Sequence, residues 1–187
     1  MLLPHESITV VFNDNDVKAA VNGRKTTFRI PLSMQKPADK RAFPRAGPVG
    51  LNAYHAGDVV YVKEAYHICP KTDMMPIYRA DFAPDFIPEG IEWSIAASMP
   101  IQYARVKLYV RSSRVERLHA ISDGDALREG LVYCASEGKT AVQAFAEEWD
   151  KTQLQSATPL LWKKNPWVEV VEFSLMGLKF PEAEGLL

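Results

Sequence analysis

Residues 103–118 constrain the fold of this chain most. Ala104, Val106, Leu108 and Val110 alternate with Tyr103, Arg105, Lys107, Tyr109 and Arg111. A period of two sends successive side chains to opposite faces of a sheet, so the first set predicts a core face and the second a polar one. We read Tyr103–Leu118 as one long or bulged strand. Its polar stripe interleaves cations with aromatics, a pattern that neutralises phosphates and offers stacking surfaces to unpaired bases. The wet face of an antiparallel strand has the same composition, and both readings stand at this point.

The rest of the chain is organised around further strands. Ser7–Phe12 predicts a first strand, residues 15–21 a short helix capped by Asn13 or Asp14, and Gly23 suits the left-handed position past its end. Phe28 and Ile30 then alternate with Thr27 and Arg29 in a strand over Thr26–Ile30. Asp58–Ile68 predicts a strong strand and Met75–Asp81 a partner, with Pro76 at its beginning or edge. Ser122-Asp123-Gly124-Asp125 resembles a capping box opening a helix over Asp123–Glu129 that stops at Gly130. Residues 139–153 form a second helix, with Val142, Phe145, Ala146 and Trp149 on one apolar stripe, and Trp167–Met176 is the last strand. Residues 33–57 hold prolines and glycines without periodicity and predict a long loop; 82–100 is irregular. A chain of 187 residues fits one domain, 1–187, with a buried core.

A formal net charge of −1 excludes a basic surface over the whole protein, so any nucleic-acid contact must come from a local patch. Two cysteines, Cys69 and Cys134, stand far apart and outside any Cys-x-x-Cys, which favours a reducing compartment. We find no basic leader followed by an apolar run and no segment of membrane-spanning length, and expect a soluble, cytoplasmic protein with no membrane partner. His5, His55, His67 and His119 are scattered, without zinc spacing. No Gly-x-Gly-x-x-Gly, P-loop or nucleophile elbow occurs, so no metal and no cofactor is expected.

Two places carry candidate chemistry. Around Gly23, the side chains of Lys25, Thr27 and Arg29 share one strand face, where two cations and a hydroxyl suit a phosphate or carbonyl oxygen; a solvated edge with ordinary charges is the alternative. On the Asp58–Ile68 strand, Glu64 interrupts the apolar row of Val60, Val62, Tyr66 and Ile68. A carboxylate there is either an acid set in a pocket or half of a buried ion pair, with Arg29 or Arg79 as candidate partners.

The segment Gly23-Arg24-Lys25-Thr26-Thr27-Phe28-Arg29 resembles the Gly-x-Lys-Thr…Arg signature of ASCH domains, which have a PUA-like fold. Gly57–Tyr66 is similar to the Gly-Asp-x-Leu-Trp-Val-Arg-Glu-x-Trp segment of the variety found in phage and prophage genomes. Tyr78-Arg79-Ala80-Asp81, Met99-Pro100, Ala104-Arg105, Arg114–Leu118, Ile121-Ser122, Ala126-x-x-Glu129-Gly130 and Asn165–Phe173 fit the same pattern in order. The resemblance implies an α+β fold, a PUA-like β-barrel of about five to seven mostly antiparallel strands with two to four flanking helices. It also implies a cleft beside the glycine-lysine motif for RNA or a nucleotide. In the family pattern the arginine falls where Ile30 stands, one residue beyond Arg29. Either a residue is missing and Thr27 and Arg29 are the counterparts, which we prefer, or Phe28 and Ile30 replace them. A one-residue slip reverses which side chains face the cleft. Ile101 and Gln102 stand where phage relatives often carry Arg and Trp.

The leading expectation is a binding domain for single-stranded RNA, another single-stranded nucleic acid, or a nucleoside such as a modified base. Its ligand-binding set is Gly23, Lys25, Thr26, Arg29, Arg79, Tyr103, Arg105 and Lys107. The alternative, carried by the resemblance, is a hydrolase, either an amidohydrolase of an acylated cytidine or a ribonuclease. There Lys25 would activate the Thr27 hydroxyl and Glu64 would move the proton. A phage accessory protein without activity is the third.

Overall fold

The computed structural model describes residues 7–33, 35, 53–68, 75–83, 86, 88–132 and 138–178. The fold class is α+β, with seven strands and three α-helices among the described residues. The strands are β1 (Ile8–Val11), β2 (Thr27–Pro31), β3 (Val59–Lys63), β4 (Tyr66–Ile68), β5 (Pro76–Tyr78), β6 (Val106–Arg117) and β7 (Trp167–Leu178). The helices are α1 (Asp14–Val21), α2 (Asp123–Arg128) and α3 (Ala141–Gln153). Five strands hydrogen-bond in the order β1-β3-β6-β7-β2, and β4 with β5 makes a separate pair. β1 pairs with β3 in parallel, whereas β2 with β7, β3 with β6 and β4 with β5 are antiparallel. Contacts divide the chain into two compact units, one of Met1–Gly23, Asp58–Tyr109 and Ser174–Leu187, the other of Arg24–Gly57 and Val110–Phe173.

In the first unit, Asn13 caps α1 by accepting from the Asp16 amide, and Gly23 takes φ +72° just past the helix. Val60, Val62, Val106 and Leu108 are fully buried, as their alternation required. The predicted Asp58–Ile68 strand is in fact two. After β3 the chain turns at Glu64 and Ala65, and the Ala65 carbonyl accepts from the Arg79 amide. Beyond the turn β4 pairs with β5, so Met75–Asp81 does supply a partner, three residues long before a 3₁₀ turn at Arg79–Asp81. The long strand begins at Val106 instead of Tyr103, because Ile101–Tyr103 forms a 3₁₀ turn whose carbonyl at Ile101 accepts from the Ala104 amide. Tyr66, Tyr78, Met99 and Ala104 make the small core around these turns.

The second unit packs α2 and α3 over Leu118, Ile121, Val168 and Val170. Both helices open with capping boxes, Ser122 with Asp125 and Thr140 with Gln143. From the predicted stripe of α3, Phe145 and Trp149 are buried while Val142 is partly so. Antiparallel pairing sets Thr27 opposite Glu172 and Arg29 opposite Val170. Phe28 points into an aromatic group, its ring 5.3 Å from Tyr54 and 5.8 Å from Phe173. Glu169, fully buried, accepts from the amides of Ala53 and Tyr54 at 2.9 and 3.0 Å. The predicted loop 33–57 and both cysteines lie largely or wholly outside the described residues.

Candidate functional site

A short run of pairing brings the start of β2 to the end of α2. Lys25 and Glu129 form an isolated antiparallel bridge, and the Thr26 amide donates to the Arg128 carbonyl at 2.8 Å. The capping box fixes where α2 begins, and Gly130, at φ +84°, lets the chain leave just after Glu129. Arg24 reaches the Gly130 carbonyl at 3.0 Å. The period of two in β2 then places Lys25, Thr27 and Arg29 on one side, facing the Glu129 side chain.

All four residues are buried, none more than 7% exposed. Lys25 Nζ donates to the Glu129 carbonyl at 2.8 Å and to Oε2 at 3.2 Å. Thr27 Oγ1 donates to Oε1 at 3.3 Å, and Arg29 Nη1 donates to the same oxygen at 2.5 Å. Arg29 Nη2 also reaches Glu116 at 3.1 Å. Glu116 accepts from Arg114 at 3.0 Å, which in turn donates to Glu172 at 2.7 Å. The result is a row of alternating sign, Lys25–Glu129–Arg29–Glu116–Arg114–Glu172, whose formal charges cancel. Burial without such compensation would cost several kcal/mol per ion. One donor is left over: Arg29 Nε is buried with no hydrogen-bond partner. Chemically the cluster offers a hydroxyl hydrogen-bonded to a carboxylate, one of the pairings that can activate an oxygen nucleophile, with an ammonium held on the same carboxylate.

Glu64 belongs to a different cluster, in the first unit. It is fully buried, and Arg105 Nε and Nη2 donate to its two oxygens at 2.9 and 3.1 Å. The buried ion pair is therefore real, with Arg105 as the partner in place of Arg29 or Arg79. The same guanidinium donates to both Asp81 oxygens at 2.8 and 2.7 Å and lies 3.9 Å over the Tyr78 ring. Burial pushes the Glu64 carboxyl above its usual range, against the lowering pull of Arg105. Arg105, 6% exposed and flanked by two carboxylates, is a buried structural cation instead of a member of an outward stripe.

The remaining predicted residues are spread along that unit. Arg79 pairs with Asp14 at 3.1 Å. Tyr103 is half-buried, and its carbonyl accepts from the Tyr78 hydroxyl at 2.8 Å. Lys107 sits with its Nζ 5.0 Å from the Tyr61 ring centroid. Sequence reasoning missed the role of Glu129, although Ala126-x-x-Glu129-Gly130 stood among the matching segments and the glycine stop marked the helix end. It missed Asp81 in the same way. Among the described residues, no group of three or more His, Cys, Asp or Glu side chains is arranged to hold a metal ion. None of the helices there is long and apolar enough to cross a membrane.

No family model matches the chain, and no curated protein does. Among solved structures it is similar to protein EF3133 of Enterococcus faecalis V583, from the family DUF984, with a TM-score of 0.42 and 16% identity over 96% of this chain and 84% of that one.

Proposed function

We propose that this chain recognises a nucleoside at the Lys25–Thr27–Arg29–Glu129 cluster and hydrolyses an amide on its base. The resemblance of the Gly23–Arg29 segment to ASCH domains suggests an acylated cytidine as the substrate class. The observation that carries the reading is the meeting of the Thr27 hydroxyl and the Lys25 ammonium on one buried carboxylate, Glu129. In the reaction, Thr27 Oγ1 attacks the amide carbonyl carbon while its proton passes to Glu129. The C–N bond breaks, that proton leaves with the amine, and water then hydrolyses the threonyl ester to the free acid and the restored hydroxyl. Lys25 supplies positive charge beside the oxygen on which negative charge develops. Arg29 holds Glu129 in place from the opposite side. The carboxylate expected from sequence, Glu64, lies in the other cluster with Arg105, whereas Glu129 accepts from Thr27 Oγ1, so the proton-moving role goes to Glu129.

Binding of single-stranded RNA without turnover is the second reading, favoured by the outward face of β6, where Lys107 packs over Tyr61 and Tyr109 is 36% exposed. The two are separated by incubating the protein with cytidine acylated on its exocyclic amine and, in parallel, with oligouridylate. Hydrolysis predicts release of free cytidine and only weak association with the oligomer. Tight oligomer binding with no cytidine released would favour the second reading and remove the first.

A further inference from the structure

The first unit holds a cavity of about 320 Å³ that none of Lys25, Thr27, Arg29 or Glu129 lines. Its apolar lining comes from Val17 and Val21 of α1, Ala80, and Leu178 at the end of β7. Its polar groups are Lys18, Asn22, Asp81 and Arg105. We propose that this cavity is a second binding site, for a small, neutral, planar ring that carries an amide or amidine edge.

Arg105 lines this cavity. A guanidinium has five N–H donors, and here four of them are committed to Glu64 and Asp81. Stacking over Tyr78 at 3.9 Å fixes its plane. Asp81 is therefore held bidentate and in one orientation, yet its side chain is 53% exposed, so each oxygen keeps a lone pair for an outside donor. Lys18 is likewise fixed, its Nζ donating to the Phe82 carbonyl at 2.6 Å, which leaves two N–H groups for an acceptor. The Asn22 side chain, at the exposed C-cap of α1, offers both kinds of group.

These charges select the ligand. An anion would face Asp81 without help from Arg105, which two carboxylates already neutralise. A cation would face the Lys18 ammonium. A neutral group with a donor beside an acceptor satisfies Asp81 and Lys18 together, and a flat apolar body suits the lining of Val17, Val21, Ala80 and Leu178. A pocket with mostly apolar walls and a few oriented polar groups is the usual form of a small-molecule site, and the volume suits a single ring with one substituent.

Nicotinamide and 2-aminopyrimidine are suitable probes, with benzoate as the charged control, titrated into the full chain while amide resonances are followed by NMR. Saturable shifts are expected at Val17, Asp81 and Leu178 with both neutral probes and none with benzoate. Leu178→Trp, at a position 41% exposed, fills the cavity and should weaken both by about tenfold or more while leaving the thermal melting unchanged. Thr27→Val should leave these shifts intact. Absence of saturable shifts, equal response to benzoate, or indifference to Leu178→Trp would overturn the proposal. Shifts confined to Lys25, Thr27 and Glu129 would overturn it too, while leaving the amide-hydrolysis reading standing.

Discussion

Glu129 accepts side-chain hydrogen bonds from Lys25, Thr27 and Arg29 while only 7% exposed, so its loss strips all three of a shared acceptor. Glu129→Ala would leave Lys25 and Arg29 buried with their shared counter-charge gone. The expected cost is about 3–5 kcal/mol, read as a lowered midpoint in urea denaturation. Glu129→Gln keeps an acceptor and should cost less; equal losses for the two variants would show that volume, not charge, is what matters there. The tyrosines give a pH test. Burial first, and the nearby Glu169 second, push the Tyr54 hydroxyl up to about 12; burial does the same for Tyr78, to about 12. A raised phenol favours the neutral form in the folded chain. This contribution is fully present below the ordinary value of 10.0 and is lost as pH rises towards 12. Absorbance near 295 nm should therefore show two tyrosines ionising late, with unfolding. Their early titration alongside exposed tyrosines would contradict the burial described for them.

Helix ends carry the next level of specification. Thr140 and Gln143 close a capping box at the start of α3, and Thr140→Ala should cost about 1 kcal/mol in thermal or urea melts. At the other end of α2, Gly130 sits at φ +84°, where Ala would cost about 1–2 kcal/mol and disturb the placement of Glu129. Features like these are local, and the sequence carried them plainly: the Asn13 cap, the Ser122 box, the glycine stops and the Val106–Val110 alternation all read off short windows. The Thr27–Arg29 face was legible for the same reason. What a window could not supply was partnership across the chain. Glu129 lies 104 residues from Lys25, and nothing in periodicity links them. Arg105 obeyed the alternation of a wet strand face, yet a 3₁₀ turn ends just before it and burial against Glu64 overrides its charge. Glu64 was readable as a buried ion pair, but its partner was not, because each of several arginines satisfied the electrostatics equally well.

Charge at the scale of the chain bears on what it can bind. With a formal net charge of −1, and with Lys25, Arg29 and Arg105 each neutralised by neighbouring carboxylates, three of the cations expected to meet a ligand are not free to displace counterions from a polyphosphate. Oligouridylate affinity should therefore change by no more than about tenfold between roughly 50 and 200 mM salt, as for one or two phosphate contacts. A loss of about a thousandfold would reveal a phosphate-tracking groove and support strand binding. What matters most for the whole molecule is whether the buried quartet of Lys25, Thr27, Arg29 and Glu129 reacts or merely packs. The most direct measurement is the rate of cytidine release from the acylated nucleoside by the wild-type chain beside Thr27→Val, which removes one hydroxyl at constant shape. We predict that the variant melts within a few degrees of the wild type and loses turnover by about a hundredfold or more. Equal turnover in the two proteins, or none in either, would contradict the account.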